Sequence, residues 1–452
     1  MKIFSNLILA GSMLVLASSV QTVSAQNKAV KMTNPLLQKS ALQYQAPSFN
    51  LIKDEHFKPA FEYGLTVQDK EILAIANNAA KPTFQNTVLA LETSGEDLKR
   101  ATGMFYNLTS SNTNPTLQAL QAEYAPIFSA HSDKMYLNSK LYKRFKSIDL
   151  NSLKGEDKKL TESYIQDFEL AGANLSDADK EKMKKINGEL ATLSTSFGDK
   201  LLTARKNGAV LFDNASDLDG LSASELAAAK LKATEEGHDG KYLIVLQNTT
   251  QQPVLQNLTN RASREKIFKS SWTRAEKNDD GDSREVLEQM AKLRLQKAKL
   301  MGKKNFAEWK QQDQMAQTPE RAMNLLAEIA APAVAKAKVE AKEIQDLIDA
   351  QNGGFKLEPW DWDFYSEQVR KAKYDLDESQ VKPYFELTNV LEKGVFFAAK
   401  KMYGITFKQR TDLPVYHPDV VAYEVFDNDG KSMAIYYCLL YTSDAADDLL
   451  CV

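Results

Sequence analysis

The chain alternates between long stretches of helical period and a few short apolar runs. Met183, Ile186, Leu190, Leu193, Phe197 and Leu201 recur at steps of three and four with Lys and Glu between them. This predicts one dry and one wet helix face, opened by Ser176 as cap and Asp179 as a carboxylate at the positive helix end. A second helix is predicted through Val286, Leu287, Met290, Leu293 and Leu300, capped by Ser283 and stopped by Gly302. A third starts at Thr318-Pro319, where proline at the first helical position costs nothing. It carries Met323, Leu326, Val334, Val339, Ile344 and Ile348, ends at Asn352-Gly353-Gly354, and should kink at Pro332. The charged faces of these helices read as solvated surface.

Two apolar runs, Ala209 to Phe212 and Tyr242 to Leu246, are rich in β-branched and aromatic residues and are bounded by Gly208, Asn214 and Gly240. They predict a strand pair enclosing a helix that opens with a Ser222/Glu225 capping box. After residue 410 the period changes. Val420 to Phe426, the turn Asp427 to Gly430, and Ser432 to Tyr437 predict a β-hairpin. The expected organisation is therefore a leader over 1–25, an extended lead-in with Pro35 and Pro47 over 26–48, a helical part over 49–410 with a strand pair near 209–246, and a hairpin over 411–437.

The 452 residues hold Gly 19 and Pro 13, sparse against usual shares of about 7% and about 5%, which excludes a linker-rich chain. Lys+Arg 57 against Asp+Glu 60 gives a net charge of -3, so no nucleic-acid or anionic-membrane partner is expected. Cys438 and Cys451 are the two cysteines, so residues 1–437 can form no disulfide and offer no thiolate.

At the N-terminus Lys2 precedes the apolar stretch Leu7 to Ala17, and Val23-Ser24-Ala25 precedes Gln26. This is the layout of a secretory signal peptide cut after Ala25; the alternative, an uncleaved anchor, is too short for the roughly 20 residues a span needs. No later segment is apolar enough to cross a bilayer. An exported chain is expected, periplasmic if the source is Gram-negative, and monomeric, since no heptad run is present.

Candidate chemistry is thin. His56, His131, His238 and His417 are scattered and none is followed by Glu, so no H-E-x-x-H exists and none is taken as a metal ligand. His417-Pro418-Asp419 is expected to fix a turn, a catalytic His-Asp pair being the alternative. No Gly-x-Ser-x-Gly elbow or phosphate-cradling glycine motif is present. Asp361 and Asp363 among Trp360, Trp362, Phe364 and Tyr365 would share one face of a strand, whereas glycoside chemistry needs carboxylates on opposite sides of a substrate. Aromatic packing with an N-capping Asp is the expected role. No catalytic, cofactor-binding or metal residue is assigned.

Several strings do carry a resemblance: Phe84 to Glu92, Asn107 to Ser110, Leu190 to Phe197, Glu358 to Tyr365 (EPWDWDFY), Tyr374 to Leu387 (YDLDESQVKPYFEL), Gly394 to Lys400, and Leu413 to Val420. Collinear from about residue 32 to Tyr437, they resemble the zinc metallopeptidases of the thimet oligopeptidase and peptidyl-dipeptidase family, with the peptidyl-dipeptidase subgroup most similar. The resemblance implies a mainly α, elongated molecule with a deep channel for short unstructured peptides. It also implies Zn²⁺ held by H-E-x-x-H and a further carboxylate, with metal-activated water and the motif Glu as general base.

Those residues lie downstream of the position matching Tyr437, so none carries over. The expectation is an N-terminal part of a peptidyl-dipeptidase that binds no zinc, is inactive, and is poorly soluble alone because apolar helix faces and a hairpin edge stay uncovered. Cys438 to Val452 breaks the composition, and its start resembles the in-frame translation of a sequencing-library adapter; a non-native tail is expected. An exported helical peptide-binding or scaffold protein without catalysis remains the alternative.

Overall fold

The computed structural model describes residues 33–246, 248–375 and 378–440. The leader, residues 26–32 of the lead-in and residues 441–452 of the tail lie outside them. The larger helices are α1 (Phe57–Ala76), α2 (Glu96–Ser111), α3 (Pro115–Tyr136), α4 (Ser139–Lys146), α5 (Gly155–Ala171), α6 (Asp177–Asn207), α7 (Ala223–Glu235), α8 (Asn248–Asn257), α9 (Arg261–Trp272), α10 (Arg284–Leu300), α11 (Pro319–Ala350) and α12 (Trp362–Tyr374). Strands β1 (Val210–Phe212) and β2 (Tyr242–Ile244) form one sheet, and β3 (Thr406–Arg410), β4 (Val421–Phe426) and β5 (Ser432–Cys438) another. The fold is mainly α, as expected. The stretch 49–410, read as one helical part, is divided: 33–188 with 398–440 form one compact unit and 189–397 a second.

In the first unit, Phe61 sits fully buried on α1 with its ring 5.2 Å from Phe105, 5.0 Å from Tyr124 and 5.1 Å from Phe128. Such tilted aromatic contacts add to the area they bury. Backbones come close here: a Cβ on Gly64 would lie 2.8 Å from Leu98 Cα, so glycine is what lets α1 meet α2. A second core gathers Ile72, Val88, Leu91, Leu141, Phe145 and Phe168 from α1, the turn after it, α4 and α5.

Residues 33–48 are not the loose extended segment expected. They run as short 3₁₀ turns, and Leu36 and Leu37 are buried in the α1/α2/α3 core. Asn34 sets this entry, its Oδ1 accepting from the Leu36 N–H at 3.0 Å while Nδ2 donates to the His56 carbonyl at 2.7 Å. Two prolines signalled a non-helical chain, but burial of two adjacent leucines is a tertiary outcome that short polar surroundings do not announce.

The predicted hairpin is present, β4 pairing antiparallel with β5 from Val421↔Cys438 to Phe426↔Ser432. Its second strand extends one residue past the expected end at Tyr437, to a buried Cys438. A third strand, β3, was missed and assigned to the helical part; it pairs Thr406↔Phe426 through Arg410↔Ala422. Half-exposed along its length, it has no alternation to reveal it. The sheet packs Ala422, Ile435 and Tyr437 on Leu413, Leu42 and Ala46. Gln43 ties the lead-in to it, donating to Glu424 at 2.7 Å and accepting from Arg410 at 2.8 Å.

In the second unit, β1 and β2 pair in register Val210↔Ile244, Leu211↔Leu243 and Phe212↔Tyr242, with α7 between them in sequence and capped by Ser222 as predicted. Leu218, Leu246, Leu258 and Ile267 are fully buried around them. Ser283 is the residue before α10 but makes no side-chain cap bond; Asp282 Oδ1 instead accepts from the Arg284 N–H at 3.1 Å. Helix α11 begins at Pro319 as expected, with Thr318 accepting from the Arg321 N–H at 3.3 Å, and runs through Pro332. Its C-terminal turns bury Ile344 and Ile348 against Tyr365, Phe355 and Trp362.

Replacing Phe61 by Ala deletes a ring from the centre of the first unit's aromatic core, and about 3–5 kcal/mol of stability should go with it. Urea unfolding followed by tryptophan-independent circular dichroism measures the loss; a change under about 1 kcal/mol would show that the site collapses around the gap.

Candidate functional site

Three of the four histidines turn out to close local turns. His56 Nδ1 accepts from the Lys53 N–H at 3.1 Å, and His417 Nδ1 from the Asp419 N–H at 3.2 Å. The latter is the turn expected of His417-Pro418-Asp419; the Asp419 carboxylate stands 3.7 Å from the ring nitrogen, on an exposed side chain. His238 is exposed in the turn after α7. Among the described residues no three of His, Cys, Asp and Glu come together as a metal site would require. The described residues offer no set that fits the zinc that the resemblance implies, and no step is derived through it.

His131 is different. On α3 it faces α1, with Nε2 2.8 Å from Gln68 Oε1 and Nδ1 2.9 Å from Asp69 Oδ1, the second contact lying off the line of a good hydrogen bond. Gln68 Nε2 in turn lies 3.4 Å from Ser94 Oγ, whose own hydroxyl donates to the Leu91 carbonyl at 2.7 Å. With its amide so oriented, Gln68 presents Oε1 as an acceptor, and His131 Nε2 donates to it. Burial pushes the His131 pKa down, against the pull of the Asp69 carboxylate, and Lys134, 2.7 Å from Asp69, adds to the lowering. Clefts of about 390 Å³ and about 310 Å³ flank the group and share Asp69 and Lys134. The arrangement can hold or release one proton between two helices and has no nucleophile. Its members are 62 residues apart in sequence, and no local spacing could have paired them.

A buried polar cluster lies in the second unit, at the most specific of the family-like strings. Residues 359–361 form a 3₁₀ turn that runs directly into α12, not the strand on which Asp361 and Asp363 would share a face. Asp361 has 0% exposure and Arg264 1%. Arg261 reaches the carboxylate in a fork, Nε at 3.0 Å and Nη2 at 2.8 Å, while Arg264 Nη2 donates at 3.0 Å. The Glu358 N–H adds a bond at 3.2 Å.

Asp361 therefore caps its own 3₁₀ turn and makes no side-chain cap bond to α12, a correction to the expected helix cap. With both oxygens occupied by two guanidinium groups and a backbone N–H, it has no room for acid–base work on a substrate. The guanidinium of Arg261 lies 4.1 Å over Phe355 and that of Arg264 4.2 Å over Phe364, which is where the expected aromatic packing is found. Asp363, two residues on, is half-buried, and that burial raises its pKa. Bidentate pairing on Asp361 raises the Arg261 pKa further.

Comparison with known proteins supplies what this geometry does not. The sequence model of Peptidase family M3 matches residues 254–445, which include α9, the Asp361 turn and α11. The chain is 45% identical over 416 residues to a dipeptidyl carboxypeptidase of Escherichia coli (strain K12), covering 91% of this chain and 61% of that protein. To the dipeptidyl carboxypeptidase of Salmonella typhimurium (strain LT2) it is 45% identical over 417 residues, with the same 91% and 61% coverage. To oligopeptidase A of the same organism it is 29% identical over 423 residues, again covering 91% and 61%. The chain thus spans 61% of the length of these relatives.

Two measurements follow. Asp361→Asn leaves the buried guanidinium of Arg264 and the partly exposed one of Arg261 facing a neutral amide, so about 3–5 kcal/mol should be lost in chemical denaturation; a loss below about 1 kcal/mol would mean that solvent screens the cluster. For His131, the folded-state pKa lies below the unfolded one, so its contribution is complete above about pH 6.5 and declines as pH falls through the unfolded and then the folded value. Thermal scans from about pH 7 to about pH 5 should show a smaller loss of Tm for His131→Gln than for the parent chain; equal losses exclude His131 as the source.

Proposed function

This chain belongs to Peptidase family M3, the thimet oligopeptidase and peptidyl-dipeptidase family, and on that premise we propose that it is part of an exported zinc peptidase that removes dipeptides from the C-termini of short, unstructured peptides. The observation that carries the reading is the graded similarity: identity to the dipeptidyl carboxypeptidases is well above identity to oligopeptidase A over the same span of chain. Export rests on the leader's charged start, apolar core and small-residue cleavage site, and among the described residues no helix is long and apolar enough to cross a membrane.

The family's H-E-x-x-H does not occur in the 452 residues, so the reading gives this chain no catalytic residue and no metal ligand. The chain alone is inert and monomeric.

A blocked tetrapeptide separates the activities. The full-length gene product should release its C-terminal dipeptide, stop on addition of a chelator and recover with Zn²⁺, while the 452-residue chain should release nothing. Cleavage at internal bonds of longer peptides without dipeptide release would replace the assignment by an endo-oligopeptidase. Stoichiometric zinc and turnover in the 452-residue chain would overturn it.

A further inference from the structure

Helix α3 bends at one place and is fastened beyond it. Pro126 lies inside the helix, and since it has no N–H, the Ala122 carbonyl receives no bond from it and the ladder is weakened there. Past that point three side chains hold α3 to its neighbours. His131 Nε2 donates to Gln68 Oε1 on α1 at 2.8 Å, Lys134 Nζ donates to Asp69 Oδ2 on α1 at 2.7 Å, and Asp133 Oδ1 accepts from Asn187 Nδ2 on α6 at 2.7 Å. The other ring nitrogen of His131 stands 2.9 Å from Asp69 Oδ1, and only 11% of the side chain is exposed.

A second proton on this ring would find the surrounding carboxylates engaged. Asp69 faces it from α1 but is bound to Lys134. Asp133, beside it on α3, is turned to Asn187, and Glu71 on α1 is turned to the Gly95 N–H at 2.7 Å. From α6 comes Lys184, which lines the cleft with Asp69, Asp133 and Lys134 and pairs with Glu181 at 2.6 Å. The turn before α2 offers only the Ser94 hydroxyl, which binds the Leu91 carbonyl. Charging His131 therefore places a cation beside Lys134 in a half-buried spot without a counter-ion of its own, and such a charge draws in water. Space for movement exists on both flanks: one cleft is lined by Leu65, Pro126 and Ile127, the other by Ile72, Leu73 and Leu137.

We propose that His131 is an acid-operated latch: when its ring takes up a second proton, residues 127–136 swing away from α1 about Pro126, and the two clefts that share Asp69 and Lys134 open into one. The swing hydrates the imidazolium and uncovers Leu65, Ile72 and Ile127. It is a local opening of α3 that precedes loss of the unit as a whole, because the hairpin of β4 and β5 packs on a different core.

Hydrogen exchange read by mass spectrometry on the 452-residue chain, corrected for the intrinsic pH dependence of exchange, tests the latch. From about pH 7.5 to about pH 5.5, protection over 127–136 and over 65–73 should fall by roughly tenfold, since each pH unit below the open-state pKa of about 6.5 favours opening tenfold until the closed state also binds the proton. Protection over 421–438 should stay as it was. His131→Gln should make protection over 127–136 the same at both pH values. Lys134→Gln, at an exposed side chain, leaves Asp69 to the ring alone, raises the closed-state affinity for the proton and should shrink the acid-induced fall; should His131→Gln not fold, this variant decides. Equal falls in the parent and in either variant overturn the proposal. So does full protection of the parent at about pH 5.5, and so does a fall that spreads evenly over 421–438, which would mark general loosening in place of a swing about Pro126.

Discussion

A buried carboxylate shared by two arginines organises the second unit. Taking Asp361 out of water is costly unless its charge is met and its lone pairs are filled, and both conditions are satisfied by α9, which presents Arg261 and Arg264 one turn apart. The consequence is geometric: the turn before α12 can take only the place where both guanidinium groups reach it. Phe355 and Phe364 then stack on those groups, Tyr365 falls onto Ile344 and Ile348, and the C-terminal turns of α11 are fixed. The aromatic string that looked like a packing element is one because a charge at its centre is anchored.

The first unit is held differently. It has no comparable buried charge cluster among its described residues and relies on interlocked aromatic rings around Phe61, on the Phe145/Phe168 core, and on a close backbone approach at Gly64. No disulfide is available before residue 438, so non-covalent contacts alone compensate the entropy of ordering the chain. That requirement accounts for the burial of Leu36 and Leu37 and for the role of Gln43, which turns a polar lead-in into a strap across β4 and β5.

Local chemistry was legible where one residue decides it. Ser222 with Glu225, Thr318 with Pro319, Ser176 with Asp179 and the glycine stop at Gly302 all act as their positions foretold, because a cap needs only neighbours within one turn. Ser283 failed for the same reason that the others succeeded: Asp282 is an equally near and stronger acceptor for the Arg284 N–H. Strand β3 was invisible because an edge strand with half-exposed side chains has no period to show.

The sequence by itself determined the mainly α class, the type of most elements, the hairpin and, through ordered strings from Phe84 to Val420, the family resemblance. These are properties of short windows or of their order along the chain. The partners of His131 and Asp361 were decided only in three dimensions, since Asp69 is 62 positions away and Arg261 and Arg264 lie 100 and 97 positions away. Charges and hydrogen bonds act through distance in space, and nothing in a window of sequence records which distant helix will arrive there; for the same reason the period of α11 could be read as a helix, while folding alone decided that Ile348 is dry and Met323 is wet.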